Sequence, residues 1–266
     1  MLKIIVAGAT GWVGRDLIAE ILSSNDLMLA GAIARKGAGK DIASYLGMDE
    51  CGVVISDALS DELAASADVL IDYTAAAVAR ENCKVALKNA CAVVIGTSGL
   101  QSDDFAAIDA SAREYGVGVI AAGNFSVTAV LMKRFALEAA RYLNDVEIVE
   151  YASPGKKDTP SGTSLELADA LSAVRRPGTS LAVDALEGFR TTRGAALGRE
   201  EPVQVHSVRL PSYSLSVETL FAADDERLSI RHDAGSSARP YVMGTLLATR
   251  HVIKISGLIR GIETLM

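Results

Sequence analysis

The first half of the chain alternates short apolar runs with segments whose apolar residues recur at helical spacing. The apolar runs predict buried strands at residues 2–7, 27–34, 53–55, 68–72, 91–95 and 117–121. The helical spacing predicts helices at residues 14–24, 59–66, 76–89 and 102–114. Strands that alternate with helices form a parallel sheet covered on both faces. We therefore predict an α/β domain over residues 1–125.

The pattern changes after about residue 125. A long helix is predicted at residues 127–143 and a second one at 163–175. Strand-like segments are found at residues 146–151, 203–209, 215–222 and 226–232. This order predicts an α+β domain with a mixed or antiparallel sheet over residues 126–236. Residues 240–252 are helical again, and we expect the segment 237–266 to pack back on the first domain.

The amino-acid composition limits the classes of function that the chain can have. The chain has 266 residues, of which 50% are hydrophobic, enough for one large or two modest cores. Its net charge of -7 gives no support to nucleic-acid binding, and no apolar run reaches the roughly 18–20 residues of a membrane span. The chain starts on a strand pattern, so we expect no secretory signal and a cytoplasmic location. Cys51, Cys83 and Cys91 have no metal-site spacing, so we expect reduced core thiols and no metal.

A glycine-rich turn follows the first predicted strand and opens a helix. In residues 8–14 (GATGWVG), Gly8 allows a tight turn, Gly11 a close approach of pyrophosphate, and Gly14 close packing of helix and strand. This context predicts dinucleotide binding at the helix N-terminus. The alternative is a plain turn, because the spacing is GxxGxxG rather than GxGxxG. The candidate cofactor-binding residues are Gly8, Thr10, Gly11, Trp12, Val13 and Gly14.

The end of the second strand bears on the choice of cofactor. NAD-binding proteins usually have an acid there for the ribose hydroxyls, whereas this chain has Arg35 and Lys36. Two cations suit a 2′-phosphate, so NADPH is favoured and NADH is the alternative cofactor. The competing interpretation is a solvated basic loop.

Three further segments occupy positions where ligands bind in parallel sheets. Ligands lie beyond the carboxyl ends of parallel strands, which makes the loops after the predicted strands at 68–72 and 91–95 candidates for cofactor binding. Ordinary strand-to-helix turns are the alternative. At the junction of the two predicted domains, Asn124 can hydrogen-bond to an amide group and Phe125 can pack against a ring. Alternatively, Asn124 is a helix cap and Phe125 is a core residue. The candidates are Tyr73, Thr74, Gly96, Thr97, Ser98, Asn124 and Phe125.

An anion-binding turn is predicted at residues 156–163 (KKDTPSGT). Two lysines precede a turn that opens a helix, and either Ser161 or Thr163 can be the N-cap. Free N–H groups beside cations can bind a carboxylate. The turn therefore predicts a small anionic ligand.

Seven segments together resemble the dihydrodipicolinate reductase (4-hydroxy-tetrahydrodipicolinate reductase) family of the lysine and diaminopimelate pathway. They are GATGWVG, LIDYT, VVIGTSGL, AAGNFSV, EIVEY with KKDTPSGT, VHSVR and FAADDERLSIRH, in family order. The last segment, GLIRGIETLM, is similar to the family's closing segment, so the resemblance runs from end to end. The resemblance implies a Rossmann-like domain, a substrate domain, reduction of a cyclic dicarboxylate imine with NADPH or NADH, and a homotetramer. It also implies that Ser161, Gly162 and Thr163 bind a substrate carboxylate, and that Lys156 supplies positive charge and a proton-donating hydrogen bond.

The chain departs from the family at the expected proton donor. The family pattern E-x-H-H has Ala152 and Ser153 at the histidine positions. Either Lys156 or Tyr151 supplies the proton, or the pocket accepts a different imine or keto acid of another pathway, or the protein binds nucleotide without catalysis. Arg209 either contacts the substrate carboxylates or forms a structural ion pair. The histidines His206, His232 and His251 are interpreted as structural or surface residues.

Overall fold

The computed structural model describes residues 1–175, 178–179, 188, 194–198 and 201–266. These residues form two compact units. Unit 1 comprises Met1–Val127 and Ala238–Met266, and unit 2 comprises Thr128–Ser237. None of the helices in these described ranges is long and apolar enough to cross a membrane.

Strands and helices alternate through the first unit and are mixed in the second. The strands are β1 (Leu2–Ala7), β2 (Leu27–Ile33), β3 (Ile55–Ser56), β4 (Val69–Asp72), β5 (Ala92–Ile95), β6 (Gly118–Ala121), β7 (Asp145–Ala152), β8 (Ala195–Leu197), β9 (Val203–Arg209), β10 (Leu215–Ala222), β11 (Arg227–Ala234) and β12 (Gly257–Arg260). The helices are α1 (Trp12–Ser23), α2 (Ile42–Tyr45), α3 (Asp61–Ala65), α4 (Ala76–Lys88), α5 (Ser102–Tyr115), α6 (Val127–Ala139), α7 (Gly162–Ser172) and α8 (Arg239–Val252). A short 3-10 helix, Glu263–Leu265, follows β12.

Unit 1 is built on a seven-stranded sheet in the order β12-β6-β5-β4-β1-β2-β3. Each strand pairs with its neighbours in parallel. The sheet is buried because its strands are continuous apolar runs, and α1 packs on it through Leu17, Ile18 and Ile21, which are almost fully buried. The strand order reverses direction between β1 and β4, the position where open α/β sheets bind their ligands.

Unit 2 is built on a five-stranded mixed sheet in the order β11-β10-β7-β9-β8. The β7–β9 pair is parallel and the other pairs are antiparallel. Along β7, buried and half-buried residues alternate, as expected for a strand with one face in the core. Helices α6 and α7 pack on that face through Met132, Ala136, Leu167 and Leu171.

The predicted α/β unit with a second α+β unit is confirmed, and several boundaries differ. The helix predicted to reach residue 143 ends at Ala139, where the Arg141 and Tyr142 N–H groups bond three residues back, to the Glu138 and Ala139 carbonyls, in a tighter turn. The strand predicted at residues 53–55 lies at Ile55–Ser56, because Val53 and Val54 pair instead with the segment at Asp41 and Ile42. The sequence interpretation missed four short elements: α2, β8, β12 and the 3-10 helix.

A buried ion pair joins β7, β9 and the start of α7. The Glu150 side chain is fully buried and accepts a hydrogen bond from Arg209 Nη2 at 2.6 Å. Its carboxylate also accepts hydrogen bonds from the Ser161 N–H and from the Ser164 and Ser207 hydroxyls, each within 2.8 Å. Burial alone raises the pKa of Glu150, but the hydrogen bonds from Ser161 and Arg209 outweigh it and hold the pKa at about 2. Glu150 therefore stabilises the folded state as a carboxylate.

Replacing Glu150 with glutamine should destabilise the protein at neutral pH and flatten its acid response. The lowered pKa means that the contribution of Glu150 is complete above the ordinary value of 4.5 and is lost as the pH falls towards about 2. We expect Glu150→Gln to lower the unfolding free energy by about 3 kcal/mol at pH 7 and by less at pH 3. Urea unfolding across this pH range measures the effect. Glu166→Gln, which removes an exposed carboxylate from α7, is the matched control and should change stability by less than about 1 kcal/mol. Equal losses at pH 7 and pH 3 would contradict the assignment.

Candidate functional site

The turn between β1 and α1 has the backbone of a phosphate-binding loop. Gly8 has a φ of 83°, and a Cβ there would lie 2.5 Å from the Tyr73 carbonyl oxygen. A Cβ on Gly14 would lie 2.1 Å from the Gly8 oxygen, so the helix can approach the turn this closely only without a side chain. The Gly11 N–H closes the turn by bonding to the Gly8 oxygen at 2.8 Å. Within this turn, Thr10 and Val13 are half-buried and Trp12 is exposed.

The end of β2 is attached to the glycine turn. The N–H groups of Gly8 and Ala9 both donate to the Ile33 carbonyl, at 2.9 and 3.1 Å. Arg35 and Lys36 follow two and three residues later, and both are exposed. The two cations therefore extend from the strand beside the turn, where the 2′-position of an adenosine ribose is bound in dinucleotide folds.

A buried carboxylate connects the loops after β4 and β5. The Asp72 side chain is fully buried at the end of β4. Its Oδ1 accepts hydrogen bonds from the Thr74 N–H, the Thr74 hydroxyl and the Thr97 hydroxyl at 2.9, 2.6 and 2.8 Å. Its Oδ2 accepts one from Asn82 Nδ2 at 2.8 Å. Thr74 and Thr97 are thereby brought together, and the neighbouring Ser98 is exposed.

Aromatic side chains pack beside these loops within unit 1. The Tyr73 ring stands against the Cα of Gly96, and its hydroxyl is 2.7 Å from the Thr245 hydroxyl on α8. Burial raises the pKa of the Tyr73 phenol, so Tyr73 is a neutral packing residue. Phe125 is almost fully buried, and Asn124 accepts a hydrogen bond from the Ser126 N–H just before α6. Asn124 lies three residues before the start of α6 and caps a local turn rather than the helix, whereas Phe125 lies in the core.

In unit 2, the predicted anion-binding turn opens α7. Ser161 is the N-cap, and its hydroxyl oxygen accepts a hydrogen bond from the Ser164 N–H at 3.3 Å. Gly162 and Thr163 begin the helix and contribute N–H groups from its first turn. Lys156 Nζ bonds to the Asp158 carboxylate at 2.8 Å, and this contact lowers the pKa of Asp158. A ligand carboxylate at this turn would therefore share Lys156 with Asp158.

Arg209 helps to hold this turn in place. Besides Glu150, its guanidinium donates to the Asp158 carbonyl at 3.0 Å and to the Thr159 hydroxyl at 3.2 Å. These bonds attach the loop that carries Lys156 to β9. The structure thus places Arg209 in the structural ion pair that was one of its two predicted roles.

Tyr151 and Glu150 point to opposite faces of the sheet, because successive strand residues alternate. The Tyr151 hydroxyl donates to the Glu218 carboxylate at 3.2 Å, and its ring stacks on Tyr213 with centroids 5.0 Å apart. The Arg231 guanidinium lies 4.8 Å from the Tyr151 ring centroid. Burial and the charge of Glu218 raise the pKa of Tyr151. The turn at Ser161 is hydrogen-bonded to Glu150. Tyr151 therefore lies on the opposite face of the sheet from the residue that holds this turn.

The residues at the two positions expected to carry histidines are small, and of the two Ala152 is buried and Ser153 is exposed. Ala152 is fully buried at the end of β7, and the Ser153 carbonyl accepts a hydrogen bond from the Lys156 N–H at 3.1 Å. Among the histidines, His206 bonds to Glu147 at 2.7 Å and His232 to Thr128 at 3.0 Å, both within unit 2. His251 is half-buried and bonds to the Leu247 carbonyl. The described part of the chain contains no group of three or more His, Cys, Asp or Glu side chains that could hold a metal.

The sequence interpretation missed the two buried acids as site residues. Asp72 accepts hydrogen bonds from the candidates Thr74 and Thr97, and Glu150 from the candidates Ser161 and Arg209. One signal was available: Glu150 occupies an inward position in the alternation of β7, between Ile148 and Ala152. A charged residue at such a position needs partners inside the protein.

Comparison with known proteins identifies the family. The family model for the dihydrodipicolinate reductase N-terminus matches residues 2–125, and the model for its C-terminus matches residues 128–266. The chain is 36% identical to the 4-hydroxy-tetrahydrodipicolinate reductase of Moorella thermoacetica and 35% identical to that of Desulfitobacterium hafniense, covering 100% of this chain and 98% of each relative. A dihydrodipicolinate reductase from Paenisporosarcina sp. TG-14, solved with dipicolinate bound, superposes with a TM-score of 0.84 at 27% identity over 100% of both chains. The chain therefore belongs to the dihydrodipicolinate reductase family.

Proposed function

We propose that this protein is a reductase that uses NADPH to reduce 4-hydroxy-tetrahydrodipicolinate in the lysine and diaminopimelate pathway. One observation carries the proposal: a chain of this family combines a glycine turn fit for a dinucleotide with a lysine-flanked helix N-terminus fit for a carboxylate. The relatives named above have this activity in their names, and one of them binds dipicolinate, a cyclic dicarboxylate.

The residues of unit 1 fit a nicotinamide dinucleotide. The turn at Gly8 and Gly14 leaves space that a Cβ would fill, and α1 directs its N-terminus to that turn. Arg35 and Lys36 would bind a 2′-phosphate, which supports NADPH over NADH. Thr74 and Thr97 would meet the nicotinamide half at the ends of β4 and β5. When bound, the reduced dinucleotide supplies a hydride to the substrate ring.

The residues of unit 2 would bind the substrate and supply its proton. Ser161, Gly162 and Thr163 would hold a carboxylate at the start of α7, and Arg209 would keep the loop of Lys156 in place. Reduction of an imine needs one proton besides the hydride, and we assign it to the Lys156 ammonium. Tyr151 is the weaker candidate, because its phenol is bonded to Glu218 and faces away from Glu150.

A second candidate function is reduction of a different cyclic imine or keto acid. The observation that favours it is the replacement of both family histidines by Ala152 and Ser153, next to the turn that would hold the substrate. Removing a general acid usually slows a reaction by about 10²–10⁴-fold, so the original reaction requires a substitute donor. We also propose, on family grounds, a cytoplasmic homotetramer.

Purified protein should oxidise NADPH when supplied with freshly made product of the synthase that precedes this step in the pathway. The expected result is substrate-dependent loss of NADPH absorbance at a rate well above a sample without synthase. Dipicolinate should inhibit it, since it presents two carboxylates on a similar ring. If NADPH binds and no turnover is seen, the second candidate is favoured, and a panel of cyclic imines and keto acids should then identify the substrate.

Replacing Lys156 with alanine should remove the proposed proton donor and one carboxylate contact. We expect the turnover number to fall by about 10²–10⁴-fold, with dinucleotide affinity unchanged. Steady-state kinetics and calorimetric titration of NADPH separate the two effects. Lys84→Ala, which removes an exposed lysine paired with Glu81 on α4, is the control and should keep wild-type rates. Wild-type turnover in Lys156→Ala would remove Lys156 from the mechanism.

Removing the two cations after β2 should weaken NADPH binding selectively. Hydrogen bonds to charged groups contribute enough that the Arg35→Ala, Lys36→Ala double variant should lose about tenfold or more in NADPH affinity. NADH affinity should change by less than about twofold, because NADH has no 2′-phosphate. Fluorescence of Trp12, the single tryptophan of the chain, reports binding of both dinucleotides from beside the turn. Lys88→Ala on α4 is the control. Tighter binding of NADH than of NADPH by the wild type would contradict the assignment.

A further inference from the structure

Asp72 controls the direction of two hydroxyl protons at the edge of the unit 1 sheet. The Thr97 hydroxyl lies 2.8 Å from Asp72 Oδ1 and 3.2 Å from the Asp72 carbonyl oxygen. The Thr74 hydroxyl lies 2.6 Å from Oδ1 and 3.5 Å from the Ala75 carbonyl oxygen. These four contacts involve three oxygen atoms, and all three are acceptors only, because a carboxylate and a carbonyl have no proton to donate. Each hydroxyl must therefore point its single proton inward.

The consequence is that both threonines present only acceptors to a ligand. A hydroxyl that has donated its proton keeps lone pairs that can accept a hydrogen bond. The nearby Gly96 N–H is also engaged, since it donates to the Asp72 carbonyl at 2.9 Å. This part of the edge is therefore suited to a ligand group that donates N–H bonds. On a nicotinamide ring, the group with N–H donors is the carboxamide.

Packing makes this orientation hard to reverse. Asp72 is fully buried, so it has no water to replace a lost donor. Asn82 Nδ2 and the Thr74 N–H occupy further acceptor sites of the carboxylate, and neither can act as an acceptor in exchange. The loops after β4 and β5 are therefore held in a single pattern of hydrogen bonds.

We propose that Asp72 is a positioning residue for the cofactor, which fixes the Thr74 and Thr97 hydroxyls as acceptors for the carboxamide N–H groups of the nicotinamide. The inference deepens the proposed function and rests on it, because the ligand is taken to be a nicotinamide dinucleotide. Asp72 itself is buried and acts only through the two threonines.

The test compares NADPH with its acetylpyridine analogue, in which a methyl ketone replaces the carboxamide and no N–H donor remains. By calorimetric titration, the wild type should bind NADPH more tightly by about tenfold, the worth of a hydrogen bond or two. In Asp72→Asn the new amide donates to a threonine and turns that proton outward, so the affinity ratio should fall to about one to two. Asp109→Asn, which weakens a carboxylate bonded to the Leu258 N–H and Arg113, is the control and should keep the wild-type ratio.

A second pair of variants keeps the test decisive if Asp72→Asn does not fold. The double variant Thr74→Val, Thr97→Val removes both hydroxyls at nearly constant shape and should lose the discrimination. The double variant Thr74→Ser, Thr97→Ser keeps both hydroxyls and should retain it. An unchanged ratio in folded Asp72→Asn or in the valine variant overturns the inference, as does a wild type that does not discriminate. If the wild type binds neither NADPH nor NADH, the proposed function itself fails.

Discussion

A carboxylate removed from water must find its hydrogen-bond donors inside the protein, and this requirement shapes both units. Asp72 in unit 1 and Glu150 in unit 2 are each fully buried. Their donors are the loops and turns where ligands are proposed to bind: Thr74 and Thr97 around Asp72, and Ser161 around Glu150. The folding of each core and the conformation of the loops beside it are therefore coupled, because the acid is satisfied only when those loops adopt the conformation observed in the structure.

The parts of the fold that the sequence predicts are those with a clear pattern of apolar residues or with glycines at tight turns. The long strands and the long helices have different patterns of apolar residues, so the sequence distinguishes them. The turn before α1 has glycines at positions where no Cβ fits. The short elements were missed because β12 and α2 have four residues each, too few to show a period. Hydrogen-bond partners could not be predicted, since Asp72 and Thr97 are 25 residues apart and Glu150 and Arg209 are 59 apart. The sequence shows that a buried acid needs donors, and only the fold shows which ones.

The alternation of β7 limits how the missing histidines can be replaced. Position 152 lies on the helix-covered face with Glu150, whereas Tyr151 lies on the opposite face and is bonded to Glu218. A side chain next in sequence thus cannot take over a role on the other side of the sheet. A group that replaces the missing histidines therefore has to come from a segment attached to the same end of β7. The loop of Lys156 is such a segment, since its N–H bonds to the Ser153 carbonyl and Arg209 holds the neighbouring Asp158 carbonyl.

The charges around the α7 turn explain why a buried acid beneath it need not repel an anionic ligand. Glu150 is paired with Arg209 at 2.6 Å, so the two together carry no net charge. Attraction of a carboxylate then depends on the first-turn N–H groups of α7 and on Lys156. Lys156 is already paired with Asp158, and a ligand carboxylate that joins or displaces Asp158 leaves the ammonium paired throughout.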